Sequence, residues 1–100
     1  MLTQNLNIDS EAIAEFCKRN HIRWLAIFGS AVRDDFGPES DVDVLVEFEV
    51  GKTPGYRFIT MQDQLSEIVN RDVDLLTRKS LNRWIKARVL SEAQVLYDAA

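Results

Sequence analysis

The chain carries one cysteine, one histidine and two prolines in 100 residues, and it has no long apolar run. A helix that crosses a bilayer needs about 20 consecutive apolar residues, so no membrane span is expected. The polar N-terminus lacks the apolar segment of a secretory signal, which makes the cytoplasm the expected location. A lone Cys17 excludes an intramolecular disulfide and agrees with a reducing compartment. His21, alone at an element boundary, reads as a solvated turn residue rather than a ligand or catalyst. Positive charge is also short, with 12 Lys and Arg against 16 Asp and Glu and a formal net charge of −4. That balance argues against direct binding of nucleic acid through bulk positive potential. It leaves room for a small site in which a metal ion offsets acids and a nucleotide brings its own phosphates.

Hydrophobic residues make up 46% of the chain and charged residues 28%, the balance of a globular protein rather than a disordered one. The length suits one domain, residues 1–100, with one modest core. Asp9 or Ser10 can cap a helix running to Asn20, with Ile13, Phe16 and Cys17 as its apolar stripe. Ile22 to Phe28 is apolar nearly throughout and reads as a central strand covered on both sides. Gly37-Pro38 marks a loop, and a second strand is expected from Asp41 to Phe48. Thr53 is the expected cap of a second helix with Pro54 at its first position, reaching Asn70 with Phe58, Met61, Leu65, Ile68 and Val69 buried. A short third strand spans Arg71 to Thr77. Ser80 is expected to cap a last helix bearing Leu81, Trp84, Ile85 and Val89, and Val95 to Tyr97 forms a short edge strand or continues that helix. The result is an α+β fold, a small mixed sheet flanked by helices. Its first two strands should be antiparallel, because their link is too short for a crossover helix.

Acids stand where strands rarely have them. Asp41 and Asp43 are two residues apart, so on a strand they share a face while Val42, Val44 and Val46 share the other. Carboxylates spaced about 6–7 Å apart repel by roughly 2–3 kcal/mol at an effective dielectric near 20. A divalent cation between them reverses the sign of that term. Asp74 lies on the short third strand, so acids converge from two strands, as two-metal phosphoryl chemistry requires. Asp34, Asp35, Glu39, Glu47, Glu49 and Asp72 read as solvated surface, with Asp72 a substitute for Asp74. Before the acids, Gly29 and Ser30 close the first strand. A glycine turn that opens a short helix exposes N–H groups to phosphate oxygens, Ser30 adds a hydroxyl, and Arg33 falls on the same side of the turn.

Gly29-Ser30, Arg33 and Ser40-Asp41-Val42-Asp43 resemble the signature of the DNA polymerase β-like nucleotidyltransferases, in their smallest branch, the minimal nucleotidyltransferase (MNT) domain. Val73-Asp74-Leu75 is similar to that family's third acidic strand, and Ile85 to Tyr97 to its usual close. This chain has Asp34 directly after Arg33, where many relatives have Gly. The resemblance implies that Gly29, Ser30, Arg33 and Ser40 bind the nucleotide. Asp41, Asp43 and Asp74 would be catalytic and hold two Mg²⁺ ions, with ATP as substrate. It further implies transfer of AMP to a hydroxyl, a tyrosine of a HEPN-domain ribonuclease toxin, by an antitoxin that is both enzyme and binding partner. Two alternatives are an antitoxin that neutralises by contact alone and a small-molecule, antibiotic-modifying nucleotidyltransferase. The second would need a further domain to form an acceptor pocket.

Overall fold

A computed structural model describes residues 8–29 and 41–99. The first helix, α1 (Ser10–Arg19), begins where the sequence offers an acceptor. The Asp9 carboxylate accepts from the N–H groups of Glu11 and Ala12 at 3.0 and 3.2 Å, a cap worth about 1 kcal/mol relative to alanine. Ile13, Phe16 and Cys17 lie on one buried face. Asn20 ends the helix, buried, with its side-chain amide donating to the Phe16 carbonyl at 2.9 Å. His21 is exposed in the turn that follows, at φ 58°.

The chain continues through β1 (Ile22–Phe28), β2 (Val42–Phe48), α2 (Arg57–Val69), β3 (Val73–Thr77), a 3₁₀ turn (Arg78–Ser80), α3 (Arg83–Glu92) and β4 (Gln94–Asp98). The sheet order is β3-β2-β1-β4. β1 is antiparallel to both β2 and β4, whereas β2 and β3, joined through α2, run parallel. The fold is therefore α+β with a mixed sheet. In β1, Leu25, Ala26 and Ile27 are all fully buried, so the central strand is covered on both faces.

Three local expectations are corrected. Thr53 and Pro54 do not open α2, which starts at Arg57 after Tyr56, a residue with no side-chain capping bond. Gly55 lies between, and a glycine in a first turn costs about 1 kcal/mol of helix propensity. Ser80 belongs to the 3₁₀ turn, and Asn82 caps α3 by accepting from Trp84 and Ile85 N–H groups at 2.9 and 3.1 Å. Asp41 lies one residue before β2 rather than on it.

The core sits on one face of the sheet. Ile13 and Phe16 of α1 and Met61 and Leu65 of α2 pack with Leu25, Ile27, Val42, Val44, Val46, Val73 and Leu75. Alternation along each strand then turns Asp43, Leu45 and Glu47 to the opposite face. Among the described residues, no helix is long and apolar enough to cross a membrane.

Candidate active site

Strand register brings the acids together. Asp43 lies opposite Phe28 on its β1 side and opposite Asp74 on its β3 side. Directly paired residues of neighbouring strands point to the same face, so two carboxylates stand side by side across the β2–β3 boundary. Asp43 is half-buried, and Asp74 and Asp41 are exposed. Asp72, the substitute for Asp74, precedes β3; its carbonyl accepts from Val42 N–H at 2.8 Å.

Gly29 follows β1 at φ +70°, a conformation that costs a side-chain-bearing residue roughly 1–2 kcal/mol. A Cβ there would also collide with the Asp43 carboxylate oxygen Oδ2. Glycine thus suits the positive φ, and its missing side chain leaves room for the Asp43 carboxylate, which a Cβ would push aside. The close contact links two parts of the signature that lie apart in the chain.

β3 is an edge strand, and α2 secures it. Ser66 Oγ accepts from the Val73 N–H at 3.1 Å, and Gln62 Oε1 accepts from the Leu75 N–H at 3.0 Å. Ser66 Oγ in turn donates to the Gln62 carbonyl at 2.9 Å. These bonds flank Asp74 on either side and hold the strand that carries it, while occupying N–H groups that an open edge would present to other chains. Neither Gln62 nor Ser66 stands out in the sequence. Both are polar and fall outside the apolar stripe of α2; their i, i+4 spacing is the signal the sequence offers.

Ser30, Arg33 and Ser40 lie outside the described residues. Among the described residues, no group of three or more His, Cys, Asp or Glu side chains is placed to hold a metal ion. A magnesium ion does not need three. It keeps several waters and takes one or two carboxylates together with substrate phosphates. The adjacent oxygen donors of Asp43 and Asp74, beside a glycine with no side chain to fill the space, fit that ligand set. Cys17 is no candidate nucleophile, because burial pushes its thiol up to about 12 and keeps it protonated at neutral pH.

Glu47, expected as solvated surface, is half-buried at the far end of β2. Its Oε2 accepts from Arg78 Nη1 at 2.6 Å, and Oε1 lies 3.7 Å from Arg23 Nε.

The family model described as "Polymerase beta, Nucleotidyltransferase" matches residues 11–100. Protein adenylyltransferase MntA of Thermococcus cleftensis is 37% identical over 79 residues, covering 78% of each chain. In fold, the chain is similar to a crystal structure of a toxin-antitoxin with AMP-PNP, at a TM-score of 0.74 and 18% identity over 91% of this chain and 74% of that one. It is also similar to a chain from a complex of a tri-AMPylated Shewanella oneidensis HEPN toxin with an MNT antitoxin. There the TM-score is 0.63 and the identity 18%, over 89% of this chain and 69% of the other.

Proposed function

The chain belongs to the polymerase β nucleotidyltransferase family, and from that premise we propose that it is an antitoxin that transfers AMP from ATP to a tyrosine hydroxyl of a HEPN ribonuclease toxin. The observation that carries the reading is the register pairing of Asp43 with Asp74 against the bare backbone of Gly29. It stands two acids beside Gly29 at one end of the sheet. The acceptor comes from the relatives: the Thermococcus protein is named a protein adenylyltransferase, and the Shewanella complex contains an AMPylated toxin.

Asp41, Asp43 and Asp74 are the residues that would hold two Mg²⁺ ions. Bound there, the ions would offset the charge that builds on the attacking and leaving oxygens. Gly29, with Ser30, Arg33 and Ser40, binds the triphosphate. The acceptor oxygen attacks the α-phosphorus, the bond from that phosphorus to the bridging oxygen breaks, and pyrophosphate leaves with the electron pair. Asp74, exposed at the sheet edge, takes the hydroxyl proton.

The test is transfer of α-phosphate label from ATP to the co-purified toxin. Asp41→Asn or Asp43→Asn is expected to lower transfer by at least about 10²-fold, the scale on which loss of one transition-state charge partner is felt, with the thermal melt unchanged. Wild-type labelling by either variant would overturn the mechanism. A second reading, neutralisation by contact, is favoured by α3, which has no buried residue and leaves Trp84 78% exposed. Full rescue of growth by the Asp41→Asn/Asp43→Asn double variant would select it.

A further inference from the structure

At the other end of β2 from the acids lies a cleft of about 470 Å³, whose lining includes Arg23, Arg78, Lys79 and Lys86 together with Glu47 and Glu49. We propose that this cleft is a second, separate anion site, for a small ligand that bears a diphosphate group. The volume falls in the range of small-molecule pockets, roughly 300–1,000 Å³. Four cationic side chains against two carboxylates leave a surplus of two positive charges, on a chain whose net charge is −4.

The cations are not equivalent. Arg78 is held in place: its guanidinium lies over the Trp24 ring, 5.1 Å from the centroid, and donates to Glu47 at 2.6 Å. That bond uses one of five N–H donors, so the fork is oriented while further donors remain. Glu47 is engaged by Arg23 as well, which occupies the carboxylate that would otherwise repel an anion. Among the described residues, neither Lys79 nor Lys86 has a carboxylate within ion-pair distance. An oriented guanidinium with two ammonium groups that no described carboxylate pairs suits phosphate oxygens, the first as a planar fork and the others as point charges.

The cleft is not an extension of the acidic site. Asp43 and Glu47 are four residues apart on β2, about 13 Å at the rise of a strand. Leu45, between them on the same face, is fully buried, as is Ala26 opposite it on β1. A ligand in the cleft therefore does not touch Asp43 or Asp74, and the proposal stands whether or not the chain transfers AMP.

Free pyrophosphate and the tail of a nucleoside triphosphate share this chemistry. The experiment is titration of the full chain with pyrophosphate, with ATP and with AMP, in the presence of EDTA, read by amide chemical shifts and by calorimetry. Shifts are expected at residues 50–53 and 77–79, and the affinity should fall at least about tenfold in Lys79→Ala/Lys86→Ala and weaken with salt. Binding of pyrophosphate as well as ATP would identify the free diphosphate as sufficient. Binding of ATP alone would identify a nucleotide as the ligand, and either result supports the site. Leu96→Ala, outside both the cleft and the acidic site, should leave the pyrophosphate shifts at residues 50–53 and 77–79 unchanged. Shifts confined to Gly29 and Asp43, no binding of either diphosphate, or wild-type affinity in the double lysine variant would each overturn the proposal. If that variant does not fold, the shift map of the wild-type chain and the affinity of Lys79→Ala alone decide between the same outcomes.

Discussion

On the face of the sheet that meets α1 and α2, Leu25, Ile27, Val44, Val46, Val73 and Leu75 are at most 6% exposed, whereas the opposite face carries Asp43 and Asp74 at one end and Glu47 with Arg78 at the other. The helices differ in the same way. α1 and α2 each bury three residues, and α3 buries none. One face therefore supplies most of the apolar burial that stabilises the fold, at about 25 cal/mol per Å². The other carries charge in defined places and covers it sparsely. Changes on the first face should act on stability, and changes to the charged side chains of the second on chemistry and association.

The strongest way to break this contrast is Phe16→Ala, which removes a fully buried ring from the helix-covered face. A loss of about 3–5 kcal/mol is expected in urea unfolding, a large fraction of the roughly 5–15 kcal/mol that holds an ordinary domain folded. Gln62→Leu probes the link between the faces. It leaves the Leu75 N–H without its acceptor, for an expected loss of about 1–3 kcal/mol and faster amide exchange at Leu75. Because β3 carries Asp74, toxin labelling should fall in Gln62→Leu and recover in Gln62→Glu, which keeps the acceptor.

A smaller effect should appear in the pH dependence of stability. The folded-state thiol of Cys17 lies at about 12, above its ordinary value of 9.0. The folded chain therefore holds the proton over a range in which the unfolded chain releases it. Stability from this residue is complete below pH 9 and declines as the pH rises from 9 towards 12. Unfolding curves at pH 8 and pH 10 check the sign, and Cys17→Ala should flatten the decline. The smallest change in stability is expected from Trp84→Ala, within about 0.5 kcal/mol, since that side chain is exposed on α3. If Trp84 contacts the toxin, the same variant weakens the complex, measured by calorimetry, while its melt stays unchanged.

Legibility from the sequence followed the range of the interaction. The stripe Ile13-Phe16-Cys17 and the bounds of β1 depend on neighbours within a turn or a strand and are read directly from residue order, whereas that order narrows the cap only to Asp9 or Ser10, of which the structure selects Asp9. The starts of α2 and α3 differ from the expected ones because α2 begins at Arg57 without a side-chain cap, and because Asn82 rather than Ser80 accepts from the first N–H groups of α3. Glu47 resembles a surface residue in the sequence because both arginines that hold it are distant in the chain.

The residue types of the acidic site, the alternation that puts Val42, Val44 and Val46 into the core, and the antiparallel first pair of strands were determined by the sequence alone. These follow from side-chain period and link length, which are local properties. Only the tertiary structure decided that Asp43 faces Asp74, that the Asp43 carboxylate closes against Gly29, and that Arg78 is oriented at the far end of the strand. Register between β2 and β3 has no local code. It is set by where α2 docks and by the Gln62 and Ser66 bonds that hold the edge strand in place.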